Sequence, residues 1–548
     1  MLRTTMTMAD ALRQTVESHP GQEAFVCGDV RHSYAQLLDR VESLAHGLHG
    51  LGLDEGDRVT ALLHPGPEFV YLFFAVARLG AVIVPLNPQL RSRRLRAVLR
   101  DADPVLLVTG RIIGEDTLSR APGLRHVVVA GQVEDSGGHR SLKDLMAWEG
   151  GGEGADLGKI DVTPHDLLAL LYTSGTTGTP KGVMHSHRSL IAPVAATLKV
   201  RKLWQRPSLR MLGKQIKALA RHQERLLRVA GGPQTFLSTT GWYTITGLEV
   251  MLQGLLMGDR LVVMPRFHPR RALELVERER VTVLVAVPTA YQVMLRMEGF
   301  DEHDTSSLIV CGTGAAPCPP HLAREIEARF GCAVHIGFGA TETGGGVAVS
   351  DLADSNEQRT ETVGRPLSQT EVKIVDEHGR ERPPGEVGEL LCRSEGIMLG
   401  YYGDPDMTAE VMDEDGWYHT GDLAMMDEDG YLRIVGRKKN MIIRGGQNIY
   451  PAEIENYLTA HPKIREAAVV GVPATVGGES VWAFIILEEG AEMDPHEVKG
   501  YCRDALEPHK IPSQVRFAAD FPRASTGKPQ KFRLRARALR EKNGREPA

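Results

Sequence analysis

Apolar residues follow two rhythms along the chain. After Ser33, Leu37, Leu38, Val41, Leu44, Leu48 and Leu51 recur at helical intervals, the stripe of a helix with one buried side. Short β-branched runs follow at Val59 to Leu63, Ala81 to Pro85, Val105 to Thr109 and His126 to Ala130, too short for helices and apolar enough to be covered on both faces. The alternation continues through Val281 to Val287 and Ala333 to Ile336, which predicts a doubly wound α/β sheet. Near Arg433 the texture changes. A strand-like Tyr431 to Val435 meets the polar run Gly436 to Asn440. A helix near Pro451 to Leu458, strands at Ala467 to Val472 and Val481 to Leu487, and a helix near Asp494 to Leu506 then predict a compact α+β unit. The expected division is 1–437 and 438–548, and glycines 150–158 form the clearest internal linker.

Length supports that division, because 548 residues exceed what one hydrophobic core organises. An apolar fraction of 42% and a charged fraction of 24% describe an ordinary globular chain. A net charge of -6 gives no case for nucleic acid or a generally basic membrane binder. Six scattered cysteines without CxxC spacing read as free thiols. The longest apolar stretch, near Tyr71 to Pro85, is broken by Arg78, and no signal-like segment opens the chain, so a cytoplasmic location is expected.

The strongest chemical pattern is Tyr172 to Gly182, which follows the apolar run Leu167 to Leu171. Its glycines, Gly175 and Gly178, let backbone approach a polyphosphate. The hydroxyls of Thr173, Ser174, Thr176 and Thr177 can donate to phosphate oxygens, and Lys181 adds a point charge. It lacks Walker A spacing, and a polar surface loop is the plain alternative. Four further motifs follow: Gly337-Phe338-Gly339-Ala340-Thr341-Glu342, Tyr418-His419-Thr420-Gly421-Asp422, Gly436-Arg437-Lys438-Lys439 and Ser525-Thr526-Gly527-Lys528.

Together, and in this order, these motifs resemble those of the adenylate-forming superfamily of acyl-CoA synthetases, luciferases and peptide-synthetase adenylation domains. The resemblance spans essentially the whole chain. It implies a large N-terminal domain of doubly wound α/β subdomains with a β-barrel-like subdomain, and a small mobile α+β domain turning about Lys439. It also implies that the phosphate loop, Gly314, Ala315, Ala316, Gly337, Phe338, Gly339, Asp422, Ile434, Arg437 and Lys528 bind ATP or AMP. Phe338 would supply a stacking plate for adenine where the family usually has Tyr. Thr341 would meet the α-phosphate, and Glu342 is an oxygen ligand suited to Mg²⁺. Lys528 would stabilise the charge that develops as a carboxylate attacks the α-phosphate. Gly445 and Gly446 would admit the thiol arm of coenzyme A. ATP, Mg²⁺ and coenzyme A are therefore the expected cofactors and co-substrates, and an acid:CoA ligase the expected activity. An acyl-AMP ligase that loads a carrier protein is the alternative, and a degenerate binding module or luciferase-like protein lies outside both. A homodimer is an admissible assembly.

Two stretches depart from the family pattern. Ser238 to Thr244 lacks the aromatic-His pair common in acyl-CoA synthetases and resembles the acetyl- and acetoacetyl-CoA synthetase branch. Trp242 and Tyr243 are candidates to wall the acid pocket with Gly312 and Gly339, or are core aromatics. No aspartate stands there to hold an amino acid's ammonium. Gly339 replaces the bulky Trp of acetyl-CoA synthetases and predicts space for a medium or long chain, or a cyclic acid. The second stretch, 199–228, carries ten basic residues and only Glu224 as an acid, with helical leucine spacing; it predicts either contact with an anionic membrane or a helix packed on its own domain.

Overall fold

The computed structural model describes residues 2–130, 139–147, 160–173, 180–205, 232–444, 446–474, 478–523 and 528–543. The glycine linker and most of the basic stretch lie outside the described residues. The helical stripe after Ser33 becomes the helix Tyr34–Gly50, whose start is fixed by Ser33 and Gln36 capping each other's backbone. The predicted strands form as Arg58–Leu62, Val82–Pro85, Leu106–Thr109 and His126–Val129, parallel neighbours in an eight-stranded sheet. In that sheet Leu167–Thr173 lies beside Val82–Pro85 and pairs antiparallel with Lys181–Ser186, so the phosphate loop joins the two arms of a hairpin.

A nine-stranded sheet joins strands of the second half of the large domain to the first two strands of the chain. Its order is Arg365–Pro366, Gly345–Val349, Ala333–Ala340, Val310–Thr313, Val283–Ala286, Thr235–Ser238, Arg260–Val262, Glu23–Cys27 and Val30–Ser33. The long apolar stretch resolves into the helix Pro67–Arg78, buried on nearly every side in a core cluster shared with strands of both large sheets. The subdomain expected to be barrel-like is built on a four-stranded antiparallel sheet, Glu371–Val375, Gly388–Arg393, Tyr418–Met426 and Leu432–Arg437.

The chain leaves that sheet through the 3-10 turn Lys438–Asn440 and enters a small domain. There Ile464–Pro473 pairs antiparallel with Glu479–Leu487, which pairs in parallel with Gln514–Phe517. The helices Pro451–Thr459, Pro495–Arg503 and Lys531–Lys542 cover this sheet, and its two apolar clusters draw only on residues from Ile442 onward. The contacts across to the large domain include the ion pairs Arg296–Glu488 and Lys438–Glu389. All six cysteines are free thiols, four of them buried. Among the described residues no helix is long and apolar enough to cross a membrane.

Arg201, one of the basic residues counted toward the 199–228 stretch, is turned inward. Its guanidinium donates to Asp259 at 2.5 Å, and Asp259 is fully buried. That charge serves an internal pair and is lost to any membrane-facing surface.

Candidate active site

The hairpin that begins the site pairs Thr173 with Lys181, and the Lys181 ammonium sits 5.2 Å from the centre of the Tyr401 ring. Ser174 to Gly178 lie outside the described residues. The Tyr401 hydroxyl donates to Glu342 Oε1 at 3.0 Å, so one aromatic side chain ties the lysine of the first motif to the carboxylate of the second. Glu342 lies on the 3-10 turn Thr341–Thr343 that ends the strand Ala333–Ala340. Two backbone contacts hold this turn: Met398 N–H donates to the Glu342 carbonyl at 2.8 Å, and His185 Nε2 donates to the Thr341 carbonyl at 2.7 Å. Full burial pushes the His185 imidazole down to about 4, so it stays neutral and serves as a fixed donor.

Asp422 and Arg437 are register partners on neighbouring antiparallel strands. Arg437 Nε and Nη2 donate to the two carboxylate oxygens of buried Asp422 at 2.6 and 3.1 Å, and among the described residues no other cation is ion-paired with it. Each carboxylate oxygen keeps a further lone pair for a ribose hydroxyl. Lys528 and Lys439 open onto the same cleft. Lys528 is placed close to Arg437 and Asp422, and Lys439 close to Arg437, Asp422, Lys181 and Glu342. The protein mass around the cleft, and then Arg437, lower the proton affinity of both lysines below the usual range. Four cationic side chains thus face two carboxylates, a surplus of positive charge that a polyphosphate would neutralise.

The strand end Val310–Thr313 leads into the turn of Gly314, Ala315 and Ala316, with Ala315 held at φ +60. A non-glycine residue in that region costs about 1–3 kcal/mol and marks a turn whose shape the surroundings impose. Phe338 is half-buried against two core clusters, and half-buried Ile434 packs on one of them, so the aromatic plate is fixed from behind. Gly337 and Gly339 share its strand. Gly446 is exposed at φ +78 with open space around it, and Gly445 lies outside the described residues.

Two expectations about the acid pocket need correction. A Cβ on Gly339 would lie 2.1 Å from the Gly345 carbonyl oxygen, so the strand Gly345–Val349, not an empty pocket floor, occupies that direction. Trp242 is 3% exposed and packs on Phe69 at 5.4 Å between ring centres, which makes it a core aromatic and leaves half-buried Tyr243 as the candidate wall. Gly312 stands on the strand beside Val283–Ala286, where an added Cβ would meet Val285 Cγ2 at 3.2 Å. Tyr401 and His185 were missed in the sequence. Gly400-Tyr401-Tyr402-Gly403 and His185-Ser186-His187 were visible as patterns, but their partners lie 59 and 156 residues away.

A Mg²⁺ ion fits the residues present. Glu342 offers a carboxylate with one oxygen positioned by Tyr401, and among the described residues no cluster of three or more metal-binding side chains exists. One carboxylate plus substrate phosphates and water is the usual coordination of a nucleotide-bound Mg²⁺.

Comparison with known proteins agrees with this architecture. The model of the AMP-binding enzyme family matches residues 12–402, and that of the AMP-binding enzyme C-terminal domain matches residues 453–528. The chain is 30% identical to the mitochondrial medium-chain acyl-CoA ligase ACSF2 of Homo sapiens over 573 residues, covering 98% of this chain and 88% of that one. It is 35% identical to the feruloyl-CoA synthase of Amycolatopsis sp over 513 residues, 93% of this chain and 95% of the relative. Its fold is similar to that of the anthranilate CoA ligase AuaEII in complex with anthranoyl-AMP, with a TM-score of 0.85, 26% identity and 99% of each chain covered. ATP-bound MatB from Rhodopseudomonas palustris gives a TM-score of 0.81 at 29% identity, over 97% of this chain and 99% of that one. The chain therefore belongs to the AMP-binding enzymes, the adenylate-forming superfamily that includes the acyl-CoA synthetases, and is an ATP-dependent, AMP-forming ligase.

Proposed function

We propose that the protein activates a carboxylic acid larger than acetate as its acyl-adenylate and then transfers the acyl group to the thiol of coenzyme A. The observation that carries this reading is the position of Lys528. Its ammonium is near enough to the Asp422–Arg437 pair for both charges to act on it, which supports a role in the first half-reaction, where positive charge is needed. In that step a carboxylate oxygen bonds to the α-phosphorus and pyrophosphate leaves with the electrons of the broken P–O bond. Lys528 and Lys181 hold the phosphate oxygens, Arg437 and Asp422 the ribose, Phe338 the adenine, and Thr341 the α-phosphate. Mg²⁺, held by Glu342, would shield the charge of the leaving phosphates.

In the second step the small domain turns about Lys439, taking 438–548 as the moving unit. The Gly446 turn then replaces the lysine loop, and thiol attack on the acyl carbon expels AMP. Names of relatives support coenzyme A as acceptor: medium-chain acyl, feruloyl and anthranilate CoA ligases are all among the similar proteins, and none of these names points to a carrier protein. The acids in those names also support a substrate beyond acetate. The proposal keeps a cytoplasmic location.

The test is a panel of aliphatic, aromatic and cyclic acids scored for AMP release that requires both ATP and coenzyme A. Turnover of acids of six or more carbons with acetate poor is expected. Acetate as the best substrate, or AMP formation supported by a carrier protein and not by coenzyme A, would overturn it.

A further inference from the structure

His185 has no part in the two reaction steps set out above, yet it is tied to a turn that does. It stands on the strand Lys181–Ser186, paired with Ala169 across the hairpin, and none of its surface reaches solvent. Lys181 and His185 lie four residues apart in unbroken register, so their side chains leave the same face of the strand. One strand therefore carries the lysine of the phosphate loop at its start and, near its end, an imidazole that reaches the turn Thr341–Thr343.

Both ring nitrogens are engaged. Nε2 lies 2.7 Å from the Thr341 carbonyl oxygen, and Nδ1 lies 3.0 Å from Ser189 Oγ. A carbonyl only accepts, so Nε2 carries the proton and Nδ1 turns its lone pair to the Ser189 hydroxyl. That hydroxyl is also within 3.1 Å of the Ser186 carbonyl, and the Ser189 N–H donates to Ser186 Oγ at 3.1 Å, which fixes Ser189 at the start of the helix His187–Gln205. Ser189 seats the far end of the turn as well: its carbonyl oxygen would lie 2.8 Å from a Cβ at Gly344, which closes the turn at φ +69. Within the turn, the Gly344 N–H donates to the Thr341 carbonyl at 3.2 Å, a bond that moves with the turn. The bond from His185 instead ties Thr341 to the strand of Lys181. An imidazole costs more to bury than a leucine of like size, and two directed hydrogen bonds offset that cost here. Leucine would fill the space without holding the carbonyl.

We propose that His185 is a positioning residue for adenylation: acting through the Thr341 backbone, it holds the Thr341 hydroxyl at a fixed reach from Lys181, so that the two close on one polyphosphate. This inference rests on the α-phosphate contact proposed for Thr341 above.

AMP and adenosine differ only by the α-phosphate and need no acid, so the ratio of their dissociation constants, measured by calorimetry, reads the grip on that phosphate. His185→Leu should lower the wild-type preference for AMP by about tenfold, with adenosine affinity within about twofold. His185→Gln, whose amide nitrogen reaches the place of Nε2, should restore most of the preference. His185→Asn, whose amide nitrogen stops at the place of Nδ1, should not. That order separates a donor to Thr341 from a space-filling side chain, for which leucine would serve at least as well as glutamine. If the leucine variant does not fold, the glutamine and asparagine variants carry the comparison. Wild type binding adenosine as tightly as AMP, a preference unchanged in the variants, asparagine matching glutamine, or AMP and adenosine affinity falling together overturns the inference. Octanoate-dependent pyrophosphate release gives a second readout: kcat should fall by about tenfold in His185→Leu, with KM for octanoate within about twofold. Absence of release from octanoate in wild type would count against the proposed substrate class, while the ratio of AMP to adenosine affinity would still decide the role of His185.

Discussion

Lys528→Ala separates the two half-reactions if the lysine acts where the structure puts it. Lys528 opens onto the cleft, close to Arg437 and Asp422, and makes no side-chain hydrogen bond to another described residue. Its removal therefore orphans no buried partner, and stability should change by less than about 0.5 kcal/mol, as for a surface substitution. The loss appears in the transition state, where a carboxylate and a phosphate bring like charges together around this ammonium. Removing one preorganised group of that kind costs about 10²–10³ in rate, roughly 2.7–4 kcal/mol. Acid-dependent pyrophosphate release should fall by that factor. Transfer from a supplied acyl-adenylate to coenzyme A, followed in a single turnover, should keep most of its rate. Gly446→Trp should do the reverse. Its Cβ meets nothing within 4 Å, although φ +78 adds a backbone cost of about 1–2 kcal/mol. If Lys528→Ala slows both half-reactions equally, either the lysine assignment or the turning of the small domain is wrong.

Further measurements probe the supports of the site. Tyr401→Phe keeps the ring under Lys181 and loses the hydrogen bond to Glu342, a contact of about 1.5–3 kcal/mol; a Mg²⁺ titration of pyrophosphate release should show weaker half-saturation by tenfold or so, and an unchanged curve refutes the link. Gly339→Ala should lower the thermal unfolding midpoint, because its Cβ must displace the Gly345 carbonyl, at a cost of about 1–3 kcal/mol for an overpacked contact. The depressed proton affinity of Lys528 sets the sign of the alkaline limb: as pH rises, the ammonium discharges before a free lysine would, so kcat/KM for ATP should begin to fall at a pH below the free-lysine pKa of about 10.4. Lys528→Arg should move that limb upward even at reduced rate, since guanidinium stays charged there.

What was legible in the sequence was local. The stripe from Leu37 to Leu51 runs along a single helix and its C-cap, and each β-branched run is contained in one short strand. The motifs were legible because each is a short run whose chemistry is written in residue type. Long-range pairing was not. Nothing local to Glu23–Cys27 says that it lies beside Arg260–Val262, and nothing near Tyr401 says that its hydroxyl meets Glu342. Gly339 shows the same limit from the other side: the residue type suggested empty space, while the direction of its Cβ is set by a neighbouring strand. Trp242 and Tyr243 are adjacent and chemically alike, and only packing against Phe69 tells them apart.

The boundary between the two domains has a consequence for how the reaction responds to its medium. The clusters formed from Ile442 onward and those of the large domain share no residue, and the contacts recorded between them include the ion pairs Arg296–Glu488 and Lys438–Glu389. A dry seam would have to expose apolar surface each time it opened, whereas charged groups regain water as they part. If the small domain turns as proposed, such a joint would act as a wet clutch, gripping weakly, releasing cheaply and depending on ionic strength. Added salt, screening charges beyond about 8 Å at physiological strength, should loosen the arrangement that holds Lys528 in place. In the proposed mechanism, the balance between making the adenylate and spending it on the thiol would then be set partly by the solution around the enzyme.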